Sequence, residues 1–360
     1  MKLTVHPFTL PLANPFRIAH GSRTEQPTLI VELQVISGIV PVSGYGEAPM
    51  TSYYGLDSAE CTDVLTSLAP AFAQKKHLPD SMEAFLDEIA PDLHPFLRCA
   101  LDVAHNDLRA RLAEAPLRFW WRGQRSASMA WTNVYGEADI KQTPTCYTIG
   151  LAPIEEMVRK LKAFPWPVYK IKLGAGDNDL AIIRALREHT DAPFYVDANT
   201  GWTAEQTIAL SHELKALGVV FIEQPLKTDD LAGQQEVFQR SALPIIADES
   251  CQTEADVNRC AAYFHGINIK VVKCGGLTPA RRMIARAREL NLKVMAGCMT
   301  ESSVGISAIA QLLPDLDYAD LDGAMLLAED PARGVTFDPA TGYAIYPDRP
   351  GTGAVLKVRN

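Results

Sequence analysis

The chain has 360 residues, of which 47% are apolar and 21% are charged, and its formal net charge is −9. This composition suits one large domain or two unequal domains with a sizeable packed core. The acidic balance gives no support for a nucleic-acid partner, whose binding site needs a basic surface. The opening segment has no long apolar block, and no window approaches the roughly 20 apolar residues of a spanning helix, so we expect neither a signal peptide nor a membrane anchor.

Seven cysteines are scattered along the chain, and none forms a C-x-x-C pair. An odd number of cysteines is a poor disulfide framework. We therefore expect reduced thiols, most of them small core residues, in a cytoplasmic protein.

The first third of the sequence predicts a mixed α+β region. Three β-rich stretches come first, separated by proline and glycine turn signals. Helical patterns follow, and the last of them has Leu97, Leu101 and Ala104 at helical spacing with a charged opposite face. We predict an N-terminal α+β domain over residues 1–115.

From about residue 144 the pattern changes to alternating strands and helices. Eight short apolar strands are separated by amphipathic runs, and they begin with TCYTIG, VYKIKL and PFYVDA and end with LKVMAG and YADLDG. Such alternation favours a parallel sheet, and eight strands close a (β/α) barrel. An open doubly wound sheet is the competitor, but no G-x-G-x-x-G follows a first strand. We predict a barrel over residues 116–325, followed by a C-terminal segment, 326–360, which alternates like a hairpin and returns to the first domain.

Charged residues stand at the ends of the predicted strands, where barrels of this type place their chemistry. They occur on six of the eight strands: Lys170 and Lys172, Asp197, Glu223, Asp248, Lys270, and Asp320 with Asp322. Side chains two residues apart on a strand share a face. The two lysines of the second strand therefore point the same way, as do the two aspartates of the eighth.

Asp197, Glu223 and Asp248 come from three consecutive strands. Three hard oxygen donors converging at one end of a barrel suit octahedral Mg²⁺. No His or Cys accompanies them, which argues against zinc. The plainer alternative is that each carboxylate caps the following helix. For three consecutive strand ends flanked by lysines, we predict a site for one Mg²⁺ per subunit.

Lys172 and Lys270 would then flank the metal from opposite sides of the barrel mouth. A nearby cation and partial burial favour the neutral amine, so a lysine in this position can act as a base. These groups suit removal of a proton next to a carboxylate, with cations stabilising the dianionic product, and an opposed second lysine would invert the carbon. The alternative is a structural network of ion pairs. Lys273 lies three residues beyond Lys270, so it does not share that strand face, and we expect it to be structural.

The motifs K-I-K, V-D-A-N, I-E-Q-P, A-D-E-S and N-I-K, in this order on successive strands, resemble those of the enolase superfamily. More narrowly, they are similar to its muconate-lactonizing-enzyme subgroup. The resemblance covers nearly the whole chain and implies an α/β fold, a (β/α)7β modified TIM barrel with an N-terminal α+β capping domain. It also implies roles for six residues: Mg²⁺ binding by Asp197, Glu223 and Asp248, acid–base catalysis by Lys172 and Lys270, and neutralisation of the substrate carboxylate by Lys170.

The eighth strand resembles that of one group of enzymes within this subgroup. In dipeptide epimerases an Asp-x-Asp at this position binds the free α-ammonium of the first residue, and Asp320 and Asp322 match it. Thr148 and Cys298 match positions near the substrate in such enzymes. The plainer alternatives are a helix cap or turn for the two aspartates and simple packing for Thr148 and Cys298.

One further candidate lies in the capping-domain loop RIAHGSRTEQP, where Arg23 could pair with a substrate carboxylate in bidentate fashion. Some Ala-Glu epimerases carry their arginine two positions earlier, where this chain has Gly21. The arginine then either serves the same role or marks a different preference for the second residue of the substrate. The alternative is an exposed loop charge.

We therefore predict a Mg²⁺-dependent isomerase that epimerises the α-carbon of the C-terminal residue of a dipeptide such as L-Ala-L/D-Glu. Alternatives within the subgroup are an N-acyl amino acid racemase, an o-succinylbenzoate synthase and a muconate cycloisomerase, none of which needs a free ammonium. Outside it stand a Schiff-base lyase that uses one barrel lysine and a non-catalytic barrel. Association into a homo-oligomer stays open.

Overall fold

The computed structural model describes residues 1–18, 21–75, 77–122, 141–176 and 178–357. The chain begins with a three-stranded antiparallel sheet in the order β1 (Lys2–Ile18), β2 (Gly21–Ser37) and β3 (Val40–Pro49). The central strand β2 contributes Leu29, Val31 and Leu33, which are fully buried on the face that packs against the following helices.

Within the described part of the N-terminal region, five α-helices follow the sheet. They are α1 (Ser58–Ser67), α2 (Ala69–Gln74), α3 (Met82–Ile89), α4 (Pro95–Leu112) and α5 (Leu117–Trp120). Helix α4 begins with a proline, which suits the first helical position, and buries Leu97, Leu101 and Ala104 as predicted. It lies so close to β3 that a Cβ at Gly46 would stand 2.0 Å from the carbonyl oxygen of Ala100. Only glycine permits this approach.

All eight predicted barrel strands are present in the structure. They are β4 (Tyr147–Ile149), β5 (Tyr169–Lys172), β6 (Phe194–Asp197), β7 (Val219–Glu223), β8 (Ile245–Ala247), β9 (Gly266–Lys270), β10 (Lys293–Gly297) and β11 (Tyr318–Asp320). Each strand pairs in parallel with the next along the chain. The amide of Cys146 donates to the carbonyl of Ala319 over 3.0 Å, which joins the first strand to the last and closes the barrel.

Helices follow the first seven barrel strands. They are α6 (Ile154–Ala163), α7 (Asp179–Arg187), α8 (Ala204–Ala216), α9 (Leu231–Arg240), α10 (Asp256–Cys260), α11 (Val271–Cys274), α12 (Leu277–Glu289) and α13 (Ser303–Ala310). Among the described residues no α-helix follows the eighth strand, which leads into a short 3₁₀ helix, Gly323–Leu326. This arrangement confirms the predicted (β/α)7β barrel.

The interior of the barrel is filled by apolar side chains on one level. Val168, Tyr195, Phe221, Ile246 and Met295 form a buried cluster with Cys146. Four members of this layer stand two residues before Lys170, Asp197, Glu223 and Asp248, so these charged side chains lie on its carboxyl side.

The last part of the chain forms two small antiparallel pairs. They are β12 (Ala332–Arg333) with β15 (Val355–Leu356), and β13 (Thr336–Phe337) with β14 (Ala344–Ile345). This segment contacts the N-terminal region, since the amide of Thr352 donates to Asp107 on α4 over 2.6 Å. All seven cysteines are free thiols, and none of the described helices has the length and apolar character needed to cross a membrane.

Candidate active site

A cavity of about 380 Å³ lies between the carboxyl end of the barrel and the N-terminal sheet. Nine of the residues predicted from the sequence as site residues line it: Arg23, Thr148, Lys170, Lys172, Asp248, Lys270, Cys298, Asp320 and Asp322. The remaining two, Asp197 and Glu223, are fully buried and contact Lys170 of the cavity lining. The fold therefore brings all the predicted site residues together at one end of the barrel.

The strand order fixes how the two predicted catalytic lysines face each other. Lys172 ends β5 and Lys270 ends β9, and three strands separate these two in the sheet. In an eight-stranded barrel, strands four steps apart lie on opposite sides. The three strands between them carry Asp197, Glu223 and Asp248 at or just after their carboxyl ends.

Lys170 lies at the centre of the charged cluster, and only 1% of its side chain is exposed. Its Nζ stands 2.7 Å from Glu223, 2.8 Å from Asp320 and 3.1 Å from Asp197. Burial works against the ammonium form, but the three carboxylates outweigh it and hold the pKa of Lys170 well above its usual range. The side chain is therefore a fixed positive charge between the three carboxylates.

The two outer lysines each contact one carboxylate. Lys172 donates to Asp197 over 2.6 Å, and Lys270 donates to Asp248 over 2.8 Å. Burial disfavours the Lys270 ammonium, yet the charge of Asp248 raises its pKa above the ordinary value. The sequence predicted conditions that favour a neutral lysine, but here the pKa of Lys270 is raised. The cause is the direct contact with Asp248, which a strand pattern does not show.

Lys273 also reaches the cluster. Its buried Nζ donates to Asp248 over 2.6 Å, on the carboxylate oxygen that Lys270 does not use. The chain leaves β9 at Lys270 and turns at once into the one-turn helix α11, so strand alternation no longer applies to Lys273. The expectation of a structural role fits this contact, although Lys273 lies nearer the site than its spacing suggested.

The three inner carboxylates do not cap the helices that follow them. The side chain of Thr203 caps α8 and the side chain of Asp230 caps α9. The residue preceding α10 is Ala255, so this helix has no side-chain cap. The helix-cap alternative for Asp197, Glu223 and Asp248 is therefore wrong.

The pKa values of these carboxylates reflect their burial and the charges around them. Burial and the charges of Asp197 and Asp248 raise the pKa of Glu223 to about 7. Burial also acts on Asp197, but the ammonium groups of Lys172 and Lys170 lower its pKa to about 2. Among the three inner carboxylates, Glu223 is therefore the one whose negative charge the cluster stabilises least, and a nearby divalent cation would favour its ionised form.

The donor set suits a hard cation such as Mg²⁺, which prefers carboxylate oxygen. Within the described residues no three acidic, histidine or cysteine side chains already converge on one point, because the carboxylates turn towards the lysine ammonium groups. A bound Mg²⁺ would take over part of the neutralisation that these ammonium groups provide here.

Two buried amides that the sequence analysis did not single out support the carboxylates. Asn268 donates to Glu223 over 2.8 Å, and the Oε1 of Gln224 accepts from the amides of Asp248 and Ser250. Asn268 stands two residues before Lys270 on β9, so alternation along that strand would have found it. Gln224 has φ 33°, a left-handed conformation that a sequence pattern does not reveal.

The two aspartates of the eighth strand have different surroundings. Asp320 contacts Lys170, whereas Asp322 accepts from the backbone amide of Thr148 over 2.6 Å. Burial and the neighbouring charge of Asp320 raise the pKa of Asp322 to about 7. Cys298 lies in the same wall, and burial raises the pKa of its thiol well above the usual range.

Arg23 is not an exposed loop charge. It lies on β2 and its guanidinium donates to Gln26 over 2.6 Å and to Thr300 over 2.8 Å. Thr300 belongs to the loop between β10 and α13, so this contact crosses from the N-terminal sheet to the barrel.

Comparison with known proteins agrees with this geometry. The model of the enolase C-terminal domain-like family matches residues 153–359. The chain is 46% identical to an L-Ala-D/L-amino acid epimerase of a Maribacter species over 357 residues, which are 99% of each chain. It is also 46% identical to an L-Ala-D/L-amino acid epimerase of Flavobacterium johnsoniae, covering 99% of this chain and all of that one.

This chain belongs to the dipeptide epimerase branch of the enolase superfamily. A solved structure of the same branch, a dipeptide epimerase from Cytophaga hutchinsonii complexed with Mg and the dipeptide D-Ala-L-Val, superposes with a TM-score of 0.86. The two chains are 26% identical, and the match covers 99% of this chain and 96% of that one. The predicted family and fold are thus confirmed.

Proposed function

We propose that this protein is a Mg²⁺-dependent dipeptide epimerase, an isomerase that inverts the α-carbon of the C-terminal residue of a dipeptide. One observation carries the proposal. Lys172 and Lys270 end strands on opposite sides of the barrel and line one cavity, whose floor is an acidic cluster. Relatives of this chain are an L-Ala-D/L-amino acid epimerase and an L-Ala-D/L-Glu epimerase. These relatives support dipeptides that begin with L-Ala as substrates.

In each direction of the reaction, one lysine is neutral and the other is protonated. The neutral amine takes the proton from the α-carbon, and the electron pair of the broken C–H bond passes into the adjacent substrate carboxylate. The ammonium on the opposite face then returns a proton to the same carbon, which inverts it. General acid–base catalysis of this kind requires both groups within hydrogen-bond reach of the carbon's two faces.

Asp197, Glu223 and Asp248 would hold the Mg²⁺. When bound, the ion supplies positive charge that stabilises the negative charge developing on the substrate carboxylate. Lys170 adds a second fixed positive charge at this end of the cavity, which suits its proposed role beside that carboxylate. Thr148 and Cys298 form part of the wall against which the substrate would lie.

The α-ammonium of the first residue would bind at the eighth strand. Asp320 and Asp322 both line the cavity there and offer carboxylate oxygens to a cation. An anionic N-acyl group or a muconate ring would be repelled by the same pair, which weighs against the other reactions of the subgroup. The contact of Arg23 with a substrate carboxylate is untested, and the hydrogen bonds of Arg23 to Gln26 and Thr300 favour a different role for this residue.

The test is incubation in D₂O with Mg²⁺ and a small library of dipeptides, beside N-succinyl amino acids, followed by NMR. We expect deuterium to enter the C-terminal α-carbon of free dipeptides, with inversion. Exchange confined to the N-succinyl compounds would support the racemase alternative instead. Absence of exchange in every substrate would contradict both. The division into domains 1–115, 116–325 and 326–360 and the cytoplasmic location are not needed for this proposal and stay predictions. Association into a homo-oligomer stays open.

A further inference from the structure

The cavity is closed on one side by a contact between the N-terminal sheet and the barrel. Arg23 and Thr300 are 277 positions apart in the sequence, yet the Nη2 of Arg23 donates to the Oγ1 of Thr300 over 2.8 Å. Both residues line the cavity, and only 3% of Thr300 is exposed. A hydrogen bond from a charged donor in such a buried position is stronger than a surface contact.

A second contact, within the N-terminal sheet, also fixes the position of Arg23. Its Nη1 donates to the Oε1 of Gln26 over 2.6 Å. The amide nitrogen of Gln26 in turn donates to the carbonyls of Pro27 and Met50 over 2.8 and 2.5 Å. Gln26 is almost fully buried, so these two acceptors fix the orientation of its side-chain amide. The guanidinium is thus oriented towards Thr300 by a rigid support rather than by a flexible loop.

The loop that carries Thr300 has a second set of hydrogen bonds to the N-terminal sheet. Glu47 on β3 accepts from the amide of Ser302 over 3.0 Å, from its hydroxyl over 2.5 Å and from the amide of Gly305 over 2.9 Å. These groups lie at the start of α13, where backbone N–H groups lack helical partners. The cavity wall formed by Cys298 and its neighbours is therefore attached to the N-terminal sheet at two points.

We propose that Arg23 is a positioning residue that fastens the N-terminal sheet to the barrel through Thr300, and that it does not select the side chain of the second residue by charge. The proposal rests on the function proposed above. It predicts an epimerase that treats L-Ala-L-Glu and its uncharged isostere L-Ala-L-Gln alike, because the guanidinium is oriented towards protein acceptors on the N-terminal sheet and on the barrel.

The kinetic test uses the full-length protein and these two dipeptides. Thr300→Val removes the hydroxyl and keeps the shape, Thr300→Ser keeps the hydroxyl, and Arg23→Met removes the charge. We expect Thr300→Val and Arg23→Met to lower kcat/KM by about tenfold for both dipeptides, the loss typical of one charged hydrogen bond. Thr300→Ser should restore most of the activity. The ratio of kcat/KM for the two dipeptides should stay within about twofold of the wild-type ratio in every variant.

A second readout does not depend on activity. Trypsin cleaves after arginine, so the rate of cleavage after Arg23, followed by mass spectrometry, reports how firmly this residue is held. We expect faster cleavage there in Thr300→Val than in the wild type or Thr300→Ser. Cleavage after Arg240, which is exposed on α9, provides the internal control and should not change.

Two results would overturn the proposal. The first is a loss in Arg23→Met that falls on L-Ala-L-Glu alone, which would make the arginine a ligand of the side-chain carboxylate. The second is a rate of cleavage after Arg23 in Thr300→Val equal to that of the wild type. If the wild type epimerises neither dipeptide, the proposed function fails, and the cleavage experiment still tests the contact.

Discussion

Replacing Lys270 by Ala should separate two events that the wild type carries out together. If Lys172 and Lys270 each serve one face of the α-carbon, the variant retains one base and loses the other. Epimerisation should then stop, while the diastereomer whose α-proton faces Lys172 still exchanges that proton with solvent. Lys172→Ala should show the same behaviour with the other diastereomer.

The structure indicates that the substitution is tolerated by the fold. Removing one partner of a buried ion pair costs about 3–5 kcal/mol when the other charge is left unpaired. Asp248 keeps Lys273 at 2.6 Å after Lys270 is lost, and Asp197 keeps Lys170 at 3.1 Å after Lys172 is lost. We therefore expect the free energy of unfolding to fall by less than this amount. Proton exchange on the face that has lost its lysine should slow by about 10²–10⁴-fold, the effect typical of general acid–base catalysis.

The assay is NMR in D₂O with each diastereomer of one dipeptide in separate tubes. Integration of the α-proton gives exchange, and the appearance of the second diastereomer gives epimerisation. Lys273→Met is the matched control, because Lys273 shares Asp248 with Lys270 but does not line the cavity. It should lower the exchange of both diastereomers in parallel, without making exchange one-sided.

Two outcomes would refute the two-base reasoning. One is epimerisation in Lys270→Ala at a rate near that of the wild type. The other is exchange of both diastereomers in that variant at equally reduced rates, which would make Lys270 a partner of Asp248 and nothing more.

Three other predictions concern this site and the loop that follows β10. Asp322→Asn, which still offers an acceptor to Thr148, should lower kcat/KM at least tenfold for free dipeptides and much less for N-acyl amino acids; equal losses would contradict the ammonium role. Mg²⁺ at 100 times its Kd should stabilise the wild type by about 2.7 kcal/mol in thermal unfolding, and Asp248→Asn should lose this gain; an equal gain in the variant would remove Asp248 from the metal site. Burial and the charge of Glu47 raise the pKa of Glu301 to about 8. Above about pH 4.5 the folded protein therefore keeps a proton on Glu301 that the unfolded chain has lost. The contribution of this group to stability should fall as the pH rises from about 4.5 towards 8. Glu301→Gln removes this dependence, and its Tm relative to the wild type should increase between pH 5 and pH 8.5; a constant difference would show that Glu301 does not take up the proton.

Much of the site could be predicted from the sequence because the barrel places the ends of its parallel strands at one edge. Once Lys172 and Lys270 were assigned to the second and sixth strands, their opposition followed from the strand order. The same reasoning placed the three inner carboxylates on the strands between them. These predictions needed only the period of a strand and the polarity of a parallel sheet.

The contacts that the sequence did not reveal depend on backbone turns and on distant pairings. Lys273 reaches Asp248 because a helical turn begins directly after β9. Gln224 supports Asp248 from a left-handed backbone position. The contact of Arg23 with Thr300 joins residues 277 positions apart, and no local pattern contains that information.

Lys170 links the two ends of the proposed substrate site. Its ammonium lies between Glu223 and Asp197 on one side and Asp320 on the other. Two of the residues proposed to bind the metal and one of the two aspartates proposed to bind the substrate ammonium therefore share one counter-ion. Without the Asp320 charge, the Lys170 ammonium is shared by Asp197 and Glu223 alone and competes more strongly with a cation for them. Asp320→Asn should therefore weaken Mg²⁺-induced stabilisation, whereas Asp322→Asn, which lacks the contact with Lys170, should leave it closer to that of the wild type. If both variants respond to Mg²⁺ as the wild type does, the shared ammonium does not couple the two ends, and substrate and metal sites are energetically independent.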